Sequence, residues 1–437
     1  MAALPKTTGP KGLTEDLVPP LNPLQAMAES ARCLYCYEAA CVTACPTAID
    51  IPGFIRAITT GNTRGAAVTI LSANIMGGTC ARVCPTEVLC EAACVRNKAE
   101  AAPVAIGRLQ RFATDALMAE GVQPFRRDPS TGKRVAVVGA GPAGLSCAHR
   151  LARLGHGVTV FEAKAKAGGL NEYGLAAYKM TGGFAQCEAA FILSVGGITV
   201  EHGKALGCDI TLEELRREFD AVFLGIGLGG ANALHVPGED LEGVAEAVDF
   251  IEMIRQCRQA DPVLAGKRVV VIGGGNTAID AAVHARLLGA EEVTLAYRRG
   301  QEHMGATVHE QQLAQTSGVA LRTWLSPRRV LGDGGTAIEA VEFERTKLVG
   351  GKLVGTDHTV TLPADLVLKA VGQSLKAQGL DGLELAGGRV KTDDSGHTSL
   401  PGVFAGGDCV KSGENLTVQA VADGTRAALA IDQFLKG

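Results

Sequence analysis

Eight of the chain's thirteen cysteines lie within its first hundred residues, in two tight groups. Cys33, Cys36, Cys41 and Cys45 form one, with Pro46 directly behind the last. Cys80, Cys84, Cys90 and Cys94 form the other, with Pro85 directly behind Cys84. Thiolates at this density, at short repeated spacing and followed by proline, suit iron–sulfur cubanes, and a chain that opens with two of them moves single electrons. A disulfide framework is the weaker reading, because it belongs to small secreted domains. The start, MAALPKTTGPKGLTEDLVPP, reads as polar and proline-rich, without the apolar stretch of a leader peptide. Structural zinc prefers paired CxxC motifs or histidines at set spacing; here only Cys33 and Cys36 stand that way and no histidine is near. Cys147, Cys187, Cys208, Cys257 and Cys409 are scattered among apolar or small residues and read as buried thiols.

A second chemistry lies in the glycines. Gly139, Gly141 and Gly144, with Pro142 and Ala143 between them, make G-x-G-x-x-G directly after the apolar run VAVV. The first glycine permits the turn, the second lets backbone approach a pyrophosphate, and the third lets helix pack on strand. The free N–H groups and positive dipole end of the helix then meet the phosphates. Glu162, 23 residues after Gly139, ends the next strand and is placed to accept from a ribose hydroxyl. The pattern recurs as Gly273-x-Gly275-x-x-Ala278, with Asn276 and Thr277 opening the helix. No acid ends its following strand; Tyr297, Arg298 and Arg299 stand there, and an arginine in that place can hold a 2′-phosphate. Asp280 on that helix reads as a structural or capping partner. Gly407 and Asp408 follow the strand VFA, where the aspartate can bond a ribityl hydroxyl. Thr417 opens the last helix, whose amino end can face a flavin's pyrimidine edge.

The elements that must position these groups follow from the pattern. Residues 1–25 read as an extended arm and 26–120 as mostly helical, with apolar residues at three- and four-residue steps. PFRRDPSTGKR reads as a linker. The strand–glycine turn–helix–strand units at 135–163 and 269–297 form an internal repeat. The expected fold is an α-helical iron–sulfur domain over 1–130, then two α/β Rossmann-like domains. The FAD-binding one takes 131–244 and 365–437, and the NAD(P)-binding one, 245–364, is inserted in it. The bulk properties agree: 56 glycines and only 4% aromatics fit glycine-rich turns between parallel strands. A net charge of −4 leaves no basic stripe for nucleic acid, and no apolar run reaches the ~20 residues that span a bilayer. So many free thiols imply a reducing compartment, the cytoplasm.

The stretches GAGPAGL, GGGNTAID, LHVPGEDLEGV and VFAGGD resemble flavoproteins with two dinucleotide-binding domains. With the cysteine-rich front, the chain is similar to the small subunit of glutamate synthase. It is still more similar to the flavin-bearing part of dihydropyrimidine dehydrogenase, through CLYCYEAACVTACPTAIDIPGFI, GGTCARVCPTEVLCEAACV and IGRLQRFATD. That resemblance implies FAD, two [4Fe–4S] clusters and a nicotinamide, taken as NAD(H) with NADP(H) left open by the arginines. It implies that Cys33, Cys36, Cys41 and Cys94 hold the first cluster. Cys45, Cys84, Cys90 and the side-chain oxygen of Gln110 hold the second, with Cys80 spare. It places Gly169, Leu170 and Lys179 at the flavin, although LAAYKM departs from the family's segment here and puts lysine for arginine. It implies a partner with an FMN and iron–sulfur barrel, a heterotetramer, and no side-chain acid, base or nucleophile at the hydride step. The rival within the class is a glutamate synthase small subunit or related NADPH–ferredoxin-type oxidoreductase. Outside it, a redox sensor would bind the same groups and ignore both nicotinamides.

Overall fold

The computed structural model describes residues 12–256, 264–332, 334, 337–411 and 413–437. Cys257 and the first eleven residues of the expected arm lie outside the described residues. The chain divides into two compact units.

The first unit comprises Pro19–Glu172, Gly183–Gly229 and Leu375–Gly437. Its amino-terminal part is helical, as the periodicity requires. Pro23–Ser30 opens on a capping box, Asn22 accepting from the Gln25 N–H and Gln25 returning the bond. The run expected to be helical through 44 breaks after Ser30, and the Cys33–Cys36 loop turns through Tyr35, a non-glycine residue at φ 51°. Gly61, also left-handed, splits the next helical stretch into Ile51–Thr59 and Thr63–Ala73. Phe54, Ile55, Ile58, Ala66, Ile70 and Leu71 form the buried side of that pair. Gly77–Val83 and Ile106–Ala119 complete the bundle around the cysteines.

The linker delivers the chain into a parallel sheet ordered Val403–Ala405, Ala221–Leu224, Arg134–Val138, Gly157–Glu162, Ile198–His202. All five strands run parallel, so both faces are covered and the central ones are apolar throughout. Helices Pro142–Arg153 and Thr417–Lys436 cross in close contact on one face. Gly424 is what allows it: a Cβ there would stand 2.1 Å from the Ala143 carbonyl oxygen. Ser146 seals the crossing with bonds to the Val421 carbonyl and the Thr425 hydroxyl, both 2.9 Å. Gly424→Ala is expected to cost ~1–3 kcal/mol of stability through overpacking and to weaken flavin retention, read by thermal unfolding with and without added FAD.

The second unit comprises the described residues of 1–18, then Tyr173–Gly182 and Gly230–Ser374. Its parallel sheet is ordered Val244–Glu246, Leu366–Ala370, Arg268–Gly273, Glu292–Tyr297, Ala320–Thr323. Leu366–Ala370 was expected in the first unit, but it pairs in register with Val269–Gly273, so this unit runs on to Ser374. The boundary at 365 is corrected accordingly: two apolar parallel strands look alike in sequence whichever sheet they join. An antiparallel ribbon of Leu325–Gly332, Ile338–Val349 and Lys352–Pro363, unforeseen, packs Val341 and Phe343 into the core beneath that sheet. Leu17 of the arm is buried too, its N–H bonded to the Tyr178 carbonyl at 3.0 Å.

Among the described residues no single helix is long and apolar enough to cross a membrane. Cys147 and Cys409 are buried as expected, whereas Cys187 and Cys208 are exposed: apolar neighbours in sequence did not carry them inside.

Candidate functional site

Cys33, Cys36, Cys41 and Cys94 line one cavity of about 400 Å³ including its mouth. Its remaining wall is mainly apolar, with Ile51, Pro52, Ile55, Val104 and Ile106. Sequence reasoning missed the groups that bring Cys94 across to the first cysteine group. Arg32 donates to Glu29 at 2.6 Å and to the carbonyls of Ala102 and Pro103, while Arg96 donates to the Arg32 carbonyl at 2.8 Å. Glu29, buried, also accepts from the Ala105 N–H at 2.8 Å.

The four thiols are electrostatic neighbours. Burial raises Cys33, with Cys36 and Cys94 adding to it, and pushes Cys41 up to about 11, with Cys33 and Cys94 adding. Half-buried thiols that share one cavity and raise one another fit a cationic iron core, which would compensate the thiolates.

The second group gathers Cys45, Cys80, Cys84 and Cys90. Burial raises the last three above the ordinary thiol, and Cys45 lies within electrostatic reach of each. Cys80, set aside as spare, is in this group, its sulfur accepting from Asn74 Nδ2 at 3.2 Å. Gln110 is buried on Ile106–Ala119 and donates through Nε2 to the Gly77 carbonyl at 2.7 Å. Among the described residues no three His, Cys, Asp or Glu side chains are arranged to hold a single metal ion. Cys33, Cys36, Cys41 and Cys94 surround a space instead of meeting at a point, which suits a cubane and not the tetrahedral zinc site with its Zn–S distance of about 2.3 Å.

Helix Gly77–Val83 receives its cap from elsewhere in the chain. Glu188, fully buried on Phe184–Leu193, accepts from the Thr79 N–H at 2.9 Å and from the Thr79 hydroxyl. Burial pushes its carboxyl up to about 7. Gly78 has no room for a side chain, since a Cβ would meet Phe184 at 2.5 Å. Arg82 stacks 3.4 Å above the Phe184 ring. A distant glutamate at a helix start has no local pattern, and sequence reasoning missed it.

The first nucleotide turn behaves as its glycines predict. A Cβ on Gly144 would stand 1.8 Å from the Gly139 carbonyl oxygen, and one on Gly139, at φ 96°, 2.5 Å from that of Gly225. Gly169 lies against Gly141, a Cβ on Gly169 falling 2.7 Å from the Gly141 Cα. The two turns thus present bare backbone, with Pro142 at the first position of the helix, which suits a pyrophosphate. Glu162 accepts from the N–H groups of Ala140 at 2.7 Å and Lys164 at 2.8 Å, leaving lone pairs for a ribose hydroxyl. Leu170 begins the following helical turn and is 40% exposed.

Asp408 is held by its backbone, Arg389 donating to its carbonyl at 2.7 Å, and burial raises its carboxyl. Asp423, missed in the sequence, accepts from the Gly407 N–H at 3.1 Å and from Gln419 and Arg426, fixing that turn. Thr417 donates to Asn171 at 2.9 Å, and the helix it opens has no side-chain cap, so its amino end is open to a ligand. These groups all belong to the first unit and fit a flavin dinucleotide.

In the second unit, nothing would stand within 4 Å of a Cβ on Gly275, and Asn276 keeps a buried Oδ1 without a hydrogen-bond partner. Ala278 is fully buried against the strand, and Thr277 follows Asn276 in the first turn. A bare turn and an orphaned acceptor fit a nicotinamide dinucleotide. Arg298 and Arg299 are exposed at the strand's end, their carbonyls held by Thr346 and the Trp324 N–H.

Lys179 lies on the segment Tyr173–Gly182. It is buried in the second unit, its amine 2.7 Å from Asp280 and 2.6 Å from Glu310, with the Tyr178 hydroxyl also on Asp280 at 3.1 Å. Burial opposes its charge, but the two carboxylates outweigh burial and raise it. Burial pulls the neighbouring His284 down to about 4, so it stays neutral and accepts from the Ala177 N–H at 3.0 Å. This ion cluster pins Tyr173–Gly182 to helix Asn276–Leu287. Lys179→Met strips both carboxylates of their partner and is expected to destabilise by ~3–5 kcal/mol. Urea unfolding checks this, and adding Glu310→Gln should restore part of the loss.

Residues 133–424 match the pyridine nucleotide-disulphide oxidoreductase family, and residues 11–122 match dihydropyrimidine dehydrogenase domain II, 4Fe-4S cluster. The chain belongs to this oxidoreductase family. It is 36% identical to the NAD-dependent dihydropyrimidine dehydrogenase subunit PreT of Escherichia coli K12, over 97% of each chain. To the glutamate synthase [NADPH] small chain of Halomonas elongata it is 35% identical, over 96% of this chain and 93% of that one. The structure of Mycobacterium tuberculosis FprA in complex with NADPH shares the fold, with a TM-score of 0.59 at 20% identity over 71% of this chain and 85% of that one. The chain is an NAD(P)H-dependent flavin and iron–sulfur oxidoreductase.

Proposed function

We propose that the chain is the electron-input subunit of a pyrimidine-reducing dehydrogenase, oxidising NADH for a partner subunit with an FMN and iron–sulfur barrel that reduces uracil or thymine at the 5,6-bond. The observation that carries it is the convergence of two cysteine groups, one lining a single cavity, in a chain with two dinucleotide turns. When bound, the flavin turns a two-electron hydride into single electrons and two [4Fe–4S] clusters conduct them.

The chain's residues hold and tune. Gly273, Gly275, Asn276, Thr277 and Ala278 seat the nicotinamide dinucleotide. Gly139, Gly141, Pro142, Ala143, Gly144, Glu162, Gly169, Leu170, Gly407, Asp408 and Thr417 seat FAD. Cys33, Cys36, Cys41 and Cys94 take one cluster; Cys45, Cys84, Cys90 and Gln110 take the other. The Gly77 carbonyl holds the Gln110 amide nitrogen and leaves its oxygen for iron. We read Gly230–Ser374, the main part of the second unit, as inserted in the first. The assembly is a cytoplasmic heterotetramer. Support comes from the likeness to PreT, whose name records a dehydrogenase subunit and NAD.

A second reading rests on Arg298 and Arg299, whose exposed guanidinium groups suit a 2′-phosphate and hence NADPH in a glutamate synthase small chain. Anaerobic purification with the neighbouring-gene partner, then turnover on uracil, thymine, and 2-oxoglutarate with glutamine, separates the two. NADH-driven pyrimidine reduction is expected. NADPH-driven glutamate formation would replace the first reading by the second.

A further inference from the structure

A buried chain of contacts links the start of the last helix to the second cysteine group, entirely within the first unit. The Thr417 hydroxyl donates to Asn171 Oδ1 at 2.9 Å. Asn171 Nδ2 donates to the Met76 thioether at 3.6 Å. The Met76 N–H donates to Asn74 Oδ1 at 3.0 Å, and Asn74 Nδ2 donates to the Cys80 sulfur at 3.2 Å. Asn171, Met76, Asn74 and Cys80 are each at most 4% exposed. Cys80 in turn lies within electrostatic reach of Cys45 and Cys84. Polar side chains in so dry a place are costly unless each is partnered, and a satisfied chain of them is rigid. Asn74 closes Thr63–Ala73 and holds the Met76 N–H ahead of Gly77–Val83, and Asn171 lies in the short helix Leu170–Tyr173.

We propose that Asn171, Met76 and Asn74 form a relay that fixes the start of the last helix against the second cysteine group, and that this positioning sets the rate at which electrons cross between the two places. Each crossing takes one electron from the flavin side and gives one to the iron–sulfur side. The relay carries no proton, since none of its three members titrates. They are positioning residues, and the inference rests on the proposed function, in which Thr417 faces the flavin and Cys45 and Cys84 bind iron.

The test uses the full chain loaded with FAD and iron, in wild type, Asn171→Ala and Asn74→Asp. The aspartate keeps the acceptor for the Met76 N–H and removes the donor to Cys80. Iron, sulfide and FAD contents should match wild type, and flavin bleaching by NADH should keep its rate. The reduced-cluster electron paramagnetic resonance signal, followed by rapid freezing, should grow severalfold more slowly. Met76→Leu, close in volume, removes only the sulfur acceptor and gives the same reading should an asparagine variant fail to load. Signal growth at the wild-type rate in loaded variants overturns the relay. A wild-type chain without iron overturns instead the function on which it rests.

Discussion

Cys41→Ser is expected to halve the iron of the protein and disconnect it from its partner while leaving the flavin reducible. Cys41 shares its cavity with Cys33, Cys36 and Cys94, so the substitution takes away one of four thiols lining that space. Serine offers a harder, more basic oxygen at the same place. Iron should fall from about eight to about four atoms per chain. Electron delivery should fall by more than the roughly 10- to 100-fold that losing even an outer partner costs a metal site. Flavin bleaching by NADH should persist, since none of the residues assigned to either nucleotide turn is touched. Iron analysis, partner-linked turnover and flavin absorbance check the three parts separately. Loss of NADH-driven bleaching together with iron would mean that the cysteine domain supports the flavin turn instead of serving it as a conduit.

Gly144→Val is expected to remove FAD and with it all nicotinamide oxidation. A Cβ on Gly144 would stand 1.8 Å from the Gly139 carbonyl oxygen. That oxygen belongs to the turn itself, and Gly139 has little room to back away, since a Cβ on it would fall 2.5 Å from the Gly225 carbonyl oxygen. The helix must therefore lift from the strand Arg134–Val138, dragging its N–H groups from the place where a pyrophosphate would sit. FAD per chain should fall below about a tenth of wild type, since overpacking a tight turn costs ~1–3 kcal/mol before any ligand contact is counted. The purified variant should retain iron at the wild-type level. Flavin released by denaturation and counted by fluorescence, alongside iron analysis, gives the answer.

The two nucleotide turns were legible because their chemistry is local. Strand, three small residues and helix stand within a dozen positions, and each glycine's role is a steric fact about its immediate neighbours. Cys33, Cys36 and Cys41 were legible for the same reason, whereas Cys94 joined them only through the resemblance, and the helical character of 26–120 followed from its period. What escaped was whatever depends on residues far apart in the chain. Leu366–Ala370 is an apolar strand that either sheet could have claimed, and only pairing with Val269–Gly273 assigns it. Glu188 caps a helix 109 positions away. Lys179 meets Asp280 and Glu310, carboxylates 101 and 131 positions away, because a buried ammonium needs such partners. Asp423 lies one position before the glycine that lets two helices touch and reads as a helical surface residue, yet it is 3% exposed and holds the Gly407 turn. The cysteines at 187 and 208 looked like core and are exposed, because one small residue in an apolar stretch does not decide which way that stretch turns.

The account depends on iron. Anaerobically purified full-length chain, analysed for iron and acid-labile sulfide against protein concentration, should give about eight of each, two [4Fe–4S] groups per chain. Stoichiometric zinc in their place, or neither iron nor sulfide, would contradict it.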